Sequence, residues 1–158
     1  MNPAVQEFRI RRMTVADVDQ VIEIAQSLKQ APQWPRKVYE AAVGGETTPK
    51  RIALVAHDAA LGTVIGLAVA SFTPPEAELE TIVVATAFQR LGIARKLITE
   101  LAAELLERGI RDLLLEVRVS NRAAQTLYGS LGFIEAGWRP GYYAEPVEDA
   151  LVMRLKLD

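Results

Sequence analysis

Between residues 77 and 119 the chain changes its apolar period twice, and this constrains the fold more than any other feature. Ala77 to Val84 is a short β-rich run, residues 93–108 read as a long helix, and Asp112 to Val119 alternates with Leu113, Leu115, Val117 and Val119 on one side. Short turns separate them: Gln89-Arg90-Leu91-Gly92-Ile93-Ala94 leads into the helix, and Gly109, a typical C′ residue, follows it. A strand–helix–strand unit of this kind crosses over right-handedly, so its two strands lie parallel in one sheet.

The flanks predict the remainder. Phe8 to Met13 reads as a strand, and Thr14 as an N-cap with Asp17 placed as in a short-armed capping box. Val18, Val21, Ile22, Ala25 and Leu28 share one face of a helix over Val15 to Lys29. Pro32 and Pro35 bracket Trp34 in a loop, and Arg36 to Val43 forms a short helix ended by Gly44-Gly45. Arg51 to His57 and Val64 to Phe72 read as a hairpin, and the turn Thr73-Pro74-Pro75-Glu76 returns the chain into the 77–84 strand. Asn121 caps a helix from Arg122 to Leu131, ended by Gly132. Phe133 to Trp138 and Ala150 to Leu157 are the last strands, with Arg139 to Asp149 a loop between them. The expected fold is mixed α/β (α+β): one domain over residues 1–158, about seven mostly antiparallel strands, a parallel central pair, and helices on both faces.

Composition narrows the chemistry. The 158 residues carry a net charge of −2 and half are hydrophobic, so nothing resembles the basic footprint of a nucleic-acid binder. There is no cysteine and one histidine, His57. Disulfides, thiolate–metal sites and a cysteine nucleophile are therefore excluded, and a Ser-His-Asp triad or a multi-histidine metal site is disfavoured. His57, near the end of its strand, reads as a surface residue. Chemistry must rest on carboxylates, hydroxyls, amines and backbone amides. No apolar stretch approaches the roughly 18 residues that span a bilayer, and Met1 to Arg12 lacks the apolar block of a signal peptide. A cytoplasmic protein without a membrane partner is the expectation.

The turn at 89–94 has a physical use. A glycine-bearing turn that opens a helix leaves backbone N–H groups unpaired and aligned with the helix dipole, which suits a phosphate or pyrophosphate. Gly92 permits close approach, Ala94 is small, and Arg90 and Arg95 can add charge-assisted contacts. By itself the pattern equally marks a packing glycine.

The residues downstream give the turn its weight. It resembles the Gln/Arg-x-x-Gly-x-Gly/Ala acetyl-CoA pyrophosphate loop of the GNAT N-acetyltransferases. The likeness continues through Leu115-Glu116-Val117-Arg118-Val119-Ser120-Asn121, then Ala123-Ala124-Gln125-Thr126-Leu127-Tyr128 and Leu131-Gly132-Phe133. It ends with Tyr142-Tyr143 and Glu148-Asp149-Ala150-Leu151-Val152-Met153. This succession, dense over residues 79–153, is similar to the RimI branch, the ribosomal-protein-alanine N-acetyltransferases. That resemblance implies acetyl-CoA as co-substrate, no metal, and the N-terminal segment of a small-subunit ribosomal protein as partner. It places the cofactor on Arg90, Leu91, Gly92, Ile93, Ala94, Arg95 and Asn121, with the backbone of Ile82, Val83 and Val84 along the pantetheine arm. A backbone N–H there suits the thioester carbonyl.

The resemblance also implies two catalytic side chains. Glu116 alternates with Leu115 and Val117 and so faces the other way, as a solvent-facing carboxylate or as a general base. Tyr128 shares its register with Ala124, Leu127 and Leu131, a core spacing, yet matches the family's general acid and cofactor contact. Asn121 reads both as helix cap and as cofactor contact. Trp34, Tyr142, Tyr143, Glu148 and Asp149 receive no individual role: the two carboxylates suit an ammonium or a turn equally. The expected reaction is direct attack of the amine on the thioester. Acetyl transfer to another amine, and a non-catalytic acyl-CoA-binding module, stay open as alternatives. The oligomeric state is also open.

Overall fold

Alternating strands must bury at least one face, and among the described residues seven do so in one sheet. The computed structural model describes residues 7–29 and 31–158. Residues 1–6, the first half of the Met1 to Arg12 segment read for a leader, lie outside them. In chain order the elements are β1 (Phe8–Arg12), α1 (Val18–Gln26), α2 (Arg36–Gly44), β2 (Lys50–Asp58), β3 (Thr63–Thr73) and β4 (Glu76–Val84). They continue with α3 (Ile93–Glu107), β5 (Asp112–Arg118), α4 (Arg122–Ser130), β6 (Ile134–Ala144) and β7 (Val147–Lys156). The sheet order is β1-β2-β3-β4-β5-β7-β6. Every neighbouring pair is antiparallel except β4 and β5, which α3 joins as a parallel pair.

The two faces are covered differently. On one, Leu97, Ile98, Leu101 and Leu105 of α3 and Tyr128 of α4 pack against Ile52, Leu54, Ala68, Leu113 and Leu115. Burying each such leucine contributes on the order of 2 kcal/mol. On the other, Val18, Val21 and Ile24 of α1 and Tyr39 and Ala42 of α2 cover Ala53, Val55, Leu67, Val69 and Val83. No residue of β5, β6 or β7 belongs to this second core. The helices on that face cover only the β1–β4 half, and the other half is left for a cleft.

One bulge creates the opening that the fold presents. Ala70 pairs with Leu79 and Val69 with Thr81, so Glu80 is an extra residue on β4. An extra residue bends its strand and increases its twist. The β4–β5 ladder runs from Glu76 opposite Asp112 to Leu79 opposite Leu115 and stops there. From Glu80 onward the two strands part. The bulge also reverses the alternation: Ala77 and Leu79 point to the α3 core, whereas after it Ile82 and Val84 do so and Val83 joins the α1 core.

Two expectations need correction. The helix expected over Val15 to Lys29 begins with a 3₁₀ turn, Val15–Asp17, and α1 occupies only Val18–Gln26. Asp17 explains the early break: it accepts the Thr14 N–H at 2.8 Å and the Arg11 guanidinium at 2.7 and 2.9 Å. The loop expected over Arg139 to Asp149 is instead the tip of the β6–β7 hairpin. Arg139 pairs with Ala150 and Tyr143 with Glu148, so β6 carries two more residues than β7 in between. Pro140 and Gly141 sit in this bulge, tolerated because β6 is an edge strand. The Gly141 N–H donates to Asp149 Oδ1 at 2.8 Å and holds the bulge. No helix among the described residues is long and apolar enough to cross a membrane.

Candidate active site

The turn before α3 has the geometry of an anion cradle. Gly92 at φ 83° and Arg90 at φ 65° both lie in the left-handed region, which curls the backbone back over the helix start. The first helical bond is from the Lys96 N–H to the Gly92 carbonyl at 3.0 Å. Among the described residues, the N–H groups of Arg90, Leu91, Gly92, Ile93, Ala94 and Arg95 have no backbone acceptor. Ile93 is buried, so it offers its N–H while its side chain anchors α3; Leu91 is exposed. Arg95 donates to Ser130 Oγ at 3.0 Å and ties α3 to α4, whereas Arg90 is exposed at the rim.

Beside this cradle lies the gap between β4 and β5. Ile82 and Val84 pack their side chains against the α3 core and Val83 against the α1 core, so only their backbone is offered to the gap. Gln89 covers the Val84 carbonyl through its amide, 3.1 Å away. An extended amide-bearing arm fits such an edge as an added strand does. A row of N–H groups at its end fits a pyrophosphate. The residues present therefore fit acetyl-CoA.

Glu116 and Tyr128 lie on opposite faces of the sheet, Glu116 at the first β5 position beyond the ladder with β4. Asn121 Oδ1 accepts the Ala124 N–H at 3.1 Å and starts α4, which carries Tyr128 onto the α3 side of the sheet. The Tyr128 ring packs against Phe133 with centroids 5.7 Å apart. Burial, with a smaller effect from Tyr143, pushes its hydroxyl up to about 12. Glu116 leaves β5 on the other face, 13% exposed, and its Oε1 lies 2.8 Å from Arg139 Nε. The pull of the Glu116 carboxylate on its hydroxyl proton, more than burial, pushes Tyr142 up to about 12. Tyr143 is held above the ordinary range by burial and then by Glu116. Its ring stands edge-on to that of Tyr142 at 5.1 Å and lies under the Arg118 guanidinium at 4.2 Å.

The cleft around Glu116 is acidic. It has a volume of about 490 Å³ and includes Glu76, Glu78, Leu114, Arg139 and Val152 in its lining. Glu78 is raised above the usual carboxylate range by loss of solvent first and by Glu116 and Glu80 next. Glu80, the bulge residue, is held by Arg51 at 2.7 and 3.0 Å.

The residues without an expected role now have partners. Glu148 accepts the Ser120 N–H at 2.5 Å and faces Arg118 at 3.4 Å, which holds the end of β5. Those bonds, led by Ser120, keep its carboxyl below the usual range. Glu148 ties the hairpin to the end of β5, and Asp149 braces its bulge. Trp34 packs on Tyr39 at 5.3 Å and borders a separate hollow with Ile22, Ala25 and Gln33. His57 is half-buried on β2, away from the β4–β5 gap. Sequence reading does not single out Arg139 or Glu78. Their signal was weak: Gly137-Trp138-Arg139 continues the strand alternation, but Pro140-Gly141 reads as a loop.

Comparison with known proteins agrees with this arrangement. Residues 18–133 match the model of the acetyltransferase (GNAT) family. The ribosomal protein bS18-alanine N-acetyltransferase of Escherichia coli strain K12 is 43% identical over 98 residues, covering 61% of this chain and 66% of the relative. The enzyme of the same name from Salmonella typhimurium is 50% identical over 84 residues, 52% of this chain and 57% of the relative. These matches span less than two thirds of either relative. The crystal structure of the ribosomal-protein-S18-alanine N-acetyltransferase from Escherichia coli superposes with a TM-score of 0.81 at 32% identity, covering 96% of this chain and 95% of that one. With its bulged β4, split parallel pair and N–H cradle, the chain belongs to the GNAT acetyltransferase family.

Proposed function

We propose that this protein is an acetyl-CoA-dependent N-acetyltransferase whose acceptor is the N-terminal α-amine of alanine on a small-subunit ribosomal protein. The observation that carries the reading is the placement of two groups on opposite faces of the sheet where β4 and β5 part: Glu116, the first β5 residue beyond the ladder, and Tyr128, in the α3-side core that also holds Leu115 and Val117. The names of the Escherichia coli and Salmonella relatives support the acceptor.

The division of labour follows from position. The N–H groups of Arg90 to Arg95 would hold the pyrophosphate, the backbone of Ile82 to Val84 the pantetheine arm, and Asn121 the region near the thioester. When bound, acetyl-CoA supplies an activated acetyl group on a good leaving thiolate. Glu116, directly or through water, takes the proton of the incoming ammonium. An α-ammonium has a reference pKa of about 7.7–8.0, so deprotonation near neutral pH costs only about 1 kcal/mol. On this reading the Tyr128 hydroxyl would face the leaving sulfur. With its pKa near 12 against about 8.5 for an ordinary thiol, full proton transfer is uphill by about 5 kcal/mol. Its contribution is therefore a hydrogen bond that strengthens as charge develops on sulfur. Holding the two reactants across one gap supplies orientation.

The test is CoA release with two peptides copied from the ribosomal target's N-terminus, one with a free N-terminal alanine and one blocked. Release with the free peptide alone is expected. Equal release with a blocked, lysine-bearing peptide would replace the acceptor by a lysine side chain. The acidic cleft with Glu78 beside Glu116, which suits any cationic amine, makes that the second reading.

A further inference from the structure

Arg139 occupies the carboxylate on which the proposed reaction depends. Its Nε lies 2.8 Å from Glu116 Oε1, and its side chain is 59% exposed while that of Glu116 is only 13% exposed. Glu116 is thus fixed in place, whereas Arg139 can leave by rotating toward solvent. A carboxylate oxygen bound to a guanidinium cannot at the same time receive an ammonium in that direction. The acceptor must take Arg139's place, and as a cation it can do so with little change in local charge.

The displaced guanidinium has somewhere to go. It already lies over the Tyr142 ring at 5.7 Å. The two extra β6 residues between Arg139 and Tyr143, pinned by Asp149, present these side chains toward the same carboxylate. An α-amine differs from a lysine ε-amine in one nearby feature: a carbonyl oxygen two bonds from the carbon that bears the nitrogen. A guanidinium just displaced from Glu116 stands where it can donate to that carbonyl, and its several N–H groups suit the exchange.

We infer that Arg139 is a specificity-determining residue that exchanges Glu116 for the first carbonyl oxygen of the acceptor, so that an α-amine is favoured over a side-chain amine. The inference rests on the acetyl-transfer reading above and deepens it. The experiment compares kcat/KM for three acceptors in the wild type, Arg139→Gln and Arg139→Lys. The acceptors are an alanine-initiated peptide, the same peptide with its first carbonyl reduced to methylene, and an N-blocked peptide with one lysine. In the wild type, the carbonyl-bearing α-amine is expected to exceed the reduced peptide by about tenfold or more, the size of one charge-assisted hydrogen bond. Arg139→Gln should collapse that ratio toward one, chiefly by raising KM for the alanine peptide. Arg139→Lys should restore part of it. A uniform loss on all three acceptors, or an unchanged ratio in Arg139→Gln, overturns the inference. Failure of the acetyl-transfer reading would show separately, as a wild type inactive on every amine.

Discussion

Tyr128 is core by position and, on the proposed reading, chemistry as well. It is nine-tenths buried, its ring packed against Phe133, and burial raises its hydroxyl to about 12. Replacing it with phenylalanine keeps the ring packing and removes only the hydroxyl. Tyr128→Phe is expected to lower kcat on the order of 10²-fold and to change the acetyl-CoA KM by less than about threefold. Equal losses in both would remove the leaving-group role. The same hydroxyl should be visible in stability at alkaline pH. An unfolded tyrosine ionises near 10, whereas Tyr128 keeps its proton to about 12, so only the unfolded chain loses a proton between those values. Stability is unaffected below pH 10 and falls as pH rises toward 12, by about 2–3 kcal/mol for this one group. Denaturant titrations at pH 9 and 11.5 should show the fall, and it should shrink in Tyr128→Phe.

At the scale of elements, the site depends on how closely α3 approaches the sheet. A Cβ at Gly66 would lie 3.0 Å from the Val83 carbonyl oxygen and 3.4 Å from Ile93 Cγ2. It would push apart β3, β4 and the start of α3, which together set the gap and the N–H cradle. Gly66→Ala is expected to destabilise the protein by about 1–3 kcal/mol. That corresponds to a melting temperature lower by roughly 2–12 °C for a chain of this size. It should also raise the acetyl-CoA KM more than the acceptor KM; an unchanged Tm and cofactor KM would show that the contact relaxes without cost. The legibility of the elements divides along similar lines. The crossover from β4 through α3 to β5 could be read directly, because its periods and its glycines are local signals. The tip of the β6–β7 hairpin could not. Pro140-Gly141 carries a local loop signal, and strand pairing with residues 147–150 overrides it. For the same reason Arg139 and Tyr142, which that tip aims at Glu116, were not legible as partners of a carboxylate so far along the chain.

Across the whole molecule, the absence of cysteine and the two-sided gap make one kinetic demand. With no thiol to carry an acetyl group, and with the two reactants entering from opposite faces on the proposed reading, both are expected to be bound together. Initial rates with both substrates varied should give intersecting double-reciprocal lines. Parallel lines would reveal an acetylated intermediate and overturn direct transfer.

The sequence by itself determined the element order, the parallel crossover and the glycine-bearing turn before α3, and its resemblance to the GNAT motifs pointed to Glu116 and Tyr128. These are encoded in periodicity, in turn residues and in motifs short enough to be read along the chain. Only the tertiary structure decided that Glu80 is a bulge, that β4 and β5 part beyond it, and that Arg139 rests on Glu116 while Glu148 and Asp149 hold the hairpin. The physical reason is common to all of these. A strand's register and an ion pair's partners depend on which distant backbone lies alongside, and that information exists only once the sheet has formed.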